Sequence, residues 1–500
     1  MLFNSFEFLI FFPIVVLLYF LSPYKLRVIL LLVASCIFYM YFKPEYLLIL
    51  FFLIIVDYFA GFFIAKAKGK KRLLYLILSL ISNLGILFYF KYFNFFLENI
   101  FTILSNLYHT PPLSPMLSII LPLGLSFHTF QSMSYTIEIY KRKQKPEKNF
   151  LTYSLYVMFF PQLVAGPIER PQHLIPQFYK KHAFEYKRVT DGLKMMAWGF
   201  FLKLVIADRL AVYVDTVYNN SPTAQPGIAF ILATLLFSYQ IYCDFLGYST
   251  IAMGAAKVLG FNLVNNFDRP YFSRSPAEFW RKWHISLSSW MRDYIYIPLG
   301  GNRVPVYIWP INILIVFIIS GVWHGANWTF IIWGALHGFY IIAYLLIENI
   351  CMRLPLIRAA WKTKVFKFFQ VIITFLLVSF AWIFFRARNV QESWYIATHL
   401  LKDMDTYIPK IIYDSSRFHA IPLATIFEPI TITRGVNDLI VAIIGIIVVE
   451  IVYYLGSGPD RWLILSKKPV YIRWTAYILL IWSIIVFGEF AKKQFIYFAF

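Results

Sequence analysis

The sequence predicts an all-α polytopic membrane protein. Sixty per cent of its residues are hydrophobic and only 14% are charged, apolar runs long enough to cross a bilayer recur throughout, and no strand-length alternation marks a membrane β-barrel. The apolar runs fall at about 4–22, 27–44, 46–65, 73–96, 116–138, 227–250, 307–350 (long enough for two), 368–386, 437–455 and 474–490. A hydrocarbon core needs roughly 20 apolar residues per helical span, so about ten to thirteen helices are expected. They are helical because a helix satisfies its own backbone in lipid.

The formal charge of +21 is carried in short clusters between apolar runs, so it reads as topology and not as a nucleic-acid surface. "KAKGKKR" at 66–72 and "KRKQKPEK" at 141–148 carry five basic residues each, whereas 98–115 has no Lys or Arg. The positive-inside rule puts the two basic loops in the cytoplasm and the loop between them outside. Counting outward from there, both termini are expected on the extracytoplasmic face. No cleavable signal peptide is visible, so the first helix is expected to be retained. Cys36, Cys243 and Cys351 lie in or beside apolar runs without metal-type spacing and read as packing residues.

No linker or repeat divides the chain, and 1–500 reads as one membrane domain. Within it, 159–178 ("FFPQLVAGPIERPQHLIPQF") carries four prolines and predicts a broken, re-entrant element. The interval 387–436 is the only long polar stretch and is expected outside. On a helix at 100° per residue, 278–298 ("EFWRKWHISLSSWMRDYIYIP") puts Trp280, Trp283, Leu287, Trp290 and Tyr294 on one side, with Arg281, His284, Ser288 and Arg292 beside them. An interfacial helix and an aromatic stripe packed on neighbouring helices fit that pattern equally well.

Two histidines stand in the apolar stretch "SGVWHGANWTFIIWGALHG", 320–338. A buried imidazole needs a hydrogen-bond partner or a chemical task. On one continuous helix, 13 residues would separate His324 from His337 by roughly 20 Å, so they would share no small site. His324 would have Asn327 and Trp328 one turn on, a site-like setting, while Gly334 and Gly338 bracket His337 and suggest close helix packing. Asp57 and Asp244, also in apolar runs, serve either a proton path or pairing with a buried cation.

"FFPQLVAGPIERP", "YQIYCDFLGYSTIAMGAAKVLGFNLVNNFDRPYF", "EFWRKWHISLSSWMRDYIYIPLGGNR", "GVWHGANWTFIIWGALHG", "WIFFRA" and the terminal "FIYFAF" resemble the membrane-bound O-acyltransferase family, in its bacterial branch that acetylates exported polysaccharides. The branch usually has Ser and Asp where Leu246 and Thr250 stand, and Gln at Ala499. The resemblance implies a ring of helices around a tunnel, His324 as catalytic histidine, His284 as a second functional residue and cytoplasmic acetyl-CoA as donor, with no cofactor. Asn327, Trp323, Trp328, Arg281 and Asp244 are the expected orienting or substrate-facing residues. The resemblance also implies a polysaccharide acceptor, an exported SGNH-type acetyltransferase partner and a bacterial cytoplasmic membrane. It marks 495–500 as acyl-carrier-like, with Tyr497 either carrying the acetyl group or serving as an aromatic anchor. An acyltransferase acting on lipid or sterol is the rival enzyme, and a transporter or flippase the rival of another class.

Overall fold

The computed structural model describes residues 1–109, 117, 119–164, 166–361, 363–406, 409, 435–456, 465, 468–490 and 495–496. Helices make up the regular structure of these residues. Seven are long and apolar enough to cross a membrane: Tyr46–Lys66, the run Gly69–Tyr108, Gly227–Leu259, Trp328–Arg353, Lys364–Arg386, Val436–Leu455 and Val470–Phe487. Phe6–Leu21 and Trp309–His324 are shorter apolar helices. Of the most apolar stretch of Gly227–Leu259, 72% is buried inside the protein, against 0% for Val470–Phe487. The first is therefore a core element, and the second is apolar on a surface that only lipid tolerates. The protein is a multi-pass membrane protein.

Contacts divide the chain into two compact units, Met1–Met196 with Tyr248–Val264, and Ala197–Gly247 with Asn265–Phe498. In the first, Tyr46–Lys66, Gly69–Leu87 and Leu125–Tyr140 meet around a polar centre. Asp57 accepts from Ser79 Oγ at 2.6 Å and Asn83 Nδ2 at 2.8 Å, and all three are fully buried. Donors from a second helix replace the water the carboxylate has lost, so Asp57 fastens helices together. Leu125–Tyr140 occupies only the end of the apolar run 116–138. Its Thr129, Gln131, Ser132 and Thr136 are buried, which makes it an interior helix.

The proline-rich stretch is broken, as expected: one turn at Phe160–Leu163, then Pro171–Phe178 after a non-helical link. Its backbone survives burial because polar partners meet it. Glu169, fully buried, accepts from Val264 N–H at 2.6 Å and bonds His173 Nδ1 at 2.6 Å, and Tyr156 Oη donates to the Glu169 carbonyl.

In the second unit, Trp309–His324 and Trp328–Arg353 form a tight hairpin, and Lys364–Arg386 packs on the latter. A Cβ on Gly321 would come within 2.2 Å of the Phe330 carbonyl, and one on Gly334 within 2.2 Å of the Phe317 carbonyl. The two backbones approach as closely as they do because neither position carries a side chain. The hairpin corrects the single-helix reading of 320–338. Gly325 is extended (φ −164°, ψ 155°) and ends the first helix, and Asn327 caps the second.

The segment 278–298 is not one helix. Pro276–Lys282 ends at Trp283, His284 is left-handed (φ 43°), Ile285–Met291 follows, and a π-turn occupies Arg292–Tyr296. The helical wheel fails across the break, and Trp280, Trp283, Leu287 and Trp290 are all buried in protein. The aromatic stripe packs on its neighbours, Trp280 on Trp333 and Trp283 on Trp382. Of the polar interval 387–436, the helix Val390–Thr398 is described, whereas 410–434 lies outside the described residues.

Candidate functional site

His324 is the last residue of its helix, 3% exposed, and set at the hairpin tip among the rings of Trp323 (4.9 Å), Trp333 (4.9 Å) and Phe385 (5.4 Å). Three aromatic faces exclude water from one imidazole, and in such a setting a proton acceptor acts without competition from solvent.

Trp333 also reaches His337, at 5.0 Å, so the hairpin brings both histidines to one indole despite their spacing in sequence. Their tasks differ. His337 is fully buried, and its Nδ1 accepts from Trp280 Nε1–H at 3.2 Å, which places the ring proton on Nε2. It joins Pro276–Lys282 to the hairpin, the interhelical bond its flanking glycines suggest.

His284 approaches from the other side, 1% exposed, 6.1 Å from Trp323 and 4.6 Å from Phe245. Its left-handed backbone costs about 1–3 kcal/mol and persists because the surroundings dictate it. Asn266, fully buried, supplies that constraint. Its carbonyl accepts from Ile285 N–H at 3.0 Å and its Oδ1 from Ser286 N–H at 3.2 Å. Burial pushes the His284 imidazole down to about 3, so it is neutral at physiological pH. His284, Trp323 and His324 thus form one cluster, in which one indole touches both imidazoles.

The other expected residues fall elsewhere. Asn327 caps the second helix, accepting from Thr329 N–H at 3.0 Å and donating to the Arg388 carbonyl at 2.8 Å. Trp328 is 51% exposed. Arg281 is exposed and borders two hollows. One, of about 430 Å³, is walled by Trp280, Phe317 and Ser320 with Arg292 at its edge; the other, of about 290 Å³, carries Arg274 and Lys367. Asp244 belongs to an ion cluster, 2.7 Å from Lys203 Nζ, which is also 2.7 Å from Asp208. Tyr497 lies outside the described residues. Just before it, Phe495 is fully buried against Phe245 (5.4 Å), and Ile496 N–H donates to Asp244 Oδ2 at 2.8 Å.

Sequence reasoning missed Lys203, Asp208, Asn266, Trp333 and Phe385. Lys203 and Asp208 had a signal, two opposite charges in the apolar run "FFLKLVIAD". Asn266 had none, because what it fastens is distant in sequence.

Comparison with known proteins bears on the chemistry of this cluster. The chain is 39% identical over 399 residues to the probable alginate O-acetylase AlgI of Pseudomonas aeruginosa, covering 79% of this chain and 74% of that protein. It is 36% identical over 390 residues to the peptidoglycan O-acetyltransferase of Helicobacter pylori, covering 73% and 71%. To the teichoic acid D-alanyltransferase of Bacillus subtilis it is 28% identical over 313 residues, covering 59% and 75%. A sequence model of the membrane-bound O-acyltransferase family matches residues 73–385, which include both helices of the hairpin and both histidines beside Trp323. The chain belongs to the membrane-bound O-acyltransferase family and is an O-acyltransferase.

Proposed function

We propose that the protein moves acetyl groups from cytoplasmic acetyl-CoA to the outside of a bacterial cytoplasmic membrane, for O-acetylation of an exported or cell-wall polysaccharide. The observation that carries this reading is the placement of His324, an imidazole enclosed by three aromatic rings and sharing the indole of Trp323 with His284, whose neighbour Phe245 is the ring on which the C-terminal segment packs. An exported polymer as acceptor is supported by relatives named for alginate and peptidoglycan O-acetylation, and argues against a lipid or sterol.

In this reading the coenzyme's thioester arm lies in the cavity beside Trp280, with Arg281, Arg274 and Lys367 toward its phosphates. His324 takes the proton of the Tyr497 hydroxyl as the phenol oxygen attacks the thioester carbonyl. The tetrahedral intermediate collapses, the thiolate leaves and receives that proton, and the products are a tyrosyl acetate and free coenzyme A. A phenol of pKa about 10 is a far easier nucleophile to prepare than a sugar hydroxyl. The phenyl ester keeps enough transfer potential for an SGNH-type exported partner to pass the acetyl group to the polymer, regenerating the tyrosine.

The test uses membranes carrying the full-length protein and acetyl-labelled coenzyme A. Wild type should release coenzyme A and gain one acetyl group on its C-terminal peptide. His324→Ala should lose both, by about 10²-fold or more for loss of a general base, while inserting normally. Tyr497→Phe should lose the peptide label. Turnover like wild type in His324→Ala would remove the base assignment, and full polysaccharide acetylation in Tyr497→Phe would remove the carrier.

A further inference from the structure

Within the second unit, the segment after the last membrane helix is fastened at two places, one on a wide helical turn and one on the helix packed against that turn. Phe201–Ala207 is a π-helix, in which Asp208 N–H bonds the Lys203 carbonyl five residues back. Five residues on an α-helix would set Lys203 and Asp208 about 140° apart. The wider turn brings them onto one side, 2.7 Å from each other. Gly247 completes the approach: a Cβ there would lie 2.9 Å from the Gly199 carbonyl and 3.1 Å from Lys203 N, so the helix carrying Asp244 runs directly against this turn. The first fastening is Glu489 N–H to the Leu204 carbonyl at 3.0 Å, with Arg209 donating to the Phe487 carbonyl and paired with Asp438. The second is Ile496 N–H to Asp244 Oδ2 at 2.8 Å.

The charges explain why a backbone amide is wanted there. Lys203, Asp208 and Asp244 are each about 5% exposed or less. Two carboxylates meet one ammonium in a place with little water, where each carboxylate oxygen needs a donor. The oxygen of Asp244 that faces away from Lys203 receives the tail's N–H.

We propose that Asp244 is a positioning residue for the acyl-accepting tail: the Lys203–Asp208–Asp244 cluster is a latch that grips the chain at Ile496, the residue directly before Tyr497. The latch rests on the reading of Tyr497 as carrier only for its purpose; the grip itself is a separate claim. The side chain at 495 gives the grip a second reference point, because it packs on Phe245, whose ring also touches His284.

Asp244→Asn keeps the volume but cannot keep the grip. Lys203 demands the amide oxygen, which turns the NH2 group toward Ile496 N–H and sets donor against donor. Ile496→Pro removes the tail's donor and leaves the ion cluster intact. Asp208→Asn removes the other carboxylate and leaves the grip. Amide hydrogen exchange on purified full-length protein reads the C-terminal peptide directly. Loss of a charge-assisted bond should raise exchange at the tail about tenfold in Asp244→Asn. Ile496→Pro should raise exchange of the rest of that peptide similarly, and Asp208→Asn should leave it within about twofold. Acetyl transfer in the first two should fall in kcat, with the KM for acetyl-CoA unchanged. Tail exchange as slow as wild type in both Asp244→Asn and Ile496→Pro would overturn the latch, even if Asp244→Asn alone had lost thermal stability. If Tyr497→Phe is fully active while Asp244→Asn still frees the tail, the grip stands and the carrier reading fails.

Discussion

At the scale of single residues, the chemistry expected of this chain is concentrated in histidines whose surroundings assign them different work. His337 accepts a hydrogen bond from Trp280 and braces two elements, whereas His324 and His284 face a shared indole. This contrast predicts the outcome of Trp280→Phe. Removing Nε1–H leaves the buried Nδ1 of His337 without its donor, at a cost of about 1–3 kcal/mol. Thermal unfolding in detergent should shift down by a few degrees, and because Trp280 also walls the cavity proposed for the thioester arm, any change in acetylation should appear in the KM for acetyl-CoA and not in kcat. A fall in kcat with no change in melting would instead make Trp280 part of the reacting site. The motif around His324 was legible because a polar residue in an apolar run must be explained, and "WHG" sits in one. The bonds of Asn327 were not, since the same side chain suits both a cap and a site, and its bonds to Thr329 and Arg388 appear only in the fold.

At the scale of elements, breaks in helices do most of the positioning. The link Gly325–Asn327 folds one apolar run into a hairpin, and its sequence carries the standard signs, a glycine after the last helical residue and an asparagine at the next N-cap. The break at His284 carries none: Trp283 and His284 are neither Gly nor Pro, and Asn266 imposes the turn from elsewhere in the chain. For the same reason the π-turn at Phe201–Ala207 is invisible in a uniformly apolar string. The proline-rich element was legible as broken, and its stability has a pH signature. Hydrogen bonding to Glu169 raises the His173 imidazole above its ordinary 6.5. Burial raises the Glu169 carboxyl, and His173 and Val264 N–H only partly offset it. The two shifts point the same way, because the folded pair holds more proton than the unfolded chain. The share of Glu169 is therefore complete below pH 4.5 and that of His173 below pH 6.5, and each declines as pH rises through that group's elevated value. Exchange at Val264 N–H, corrected for intrinsic base catalysis, should accelerate as pH rises above 6.5, and His173→Gln should flatten that dependence. A profile in wild type as flat as in the variant would show that the pair does not hold the loop. Because the His173 side chain is 43% exposed, the effect should be modest and weaken with salt.

At the scale of the whole molecule, what remains to be fixed is direction across the membrane, and the charge map and the fold supply separate arguments. The run Gly69–Tyr108 is continuous over 40 residues, broken only by a π-turn at Phe88–Tyr92 and without a reversal. At about 1.5 Å per residue it is roughly twice as long as the hydrocarbon is thick, so its two ends emerge on opposite faces. Lys70, Lys71 and Arg72 stand at one end, and beyond Glu98 the other end has no Lys or Arg until Lys141. Basic residues are held in the cytoplasm, so the Gly69 end should lie inside and Asn106 outside. The next basic cluster, at 141–148, follows the interior helix Leu125–Tyr140 and should return to the cytoplasm. In a background with Cys36, Cys243 and Cys351 replaced, single cysteines at 69, 106 and 144 give the readout. An impermeant maleimide applied to intact cells should modify only position 106, and permeabilisation should expose the other two. Modification at 69 before permeabilisation would invert the map. It would also remove the charge-based orientation on which the proposed direction of acetyl flow rests, so this experiment tests that direction without using any catalytic residue.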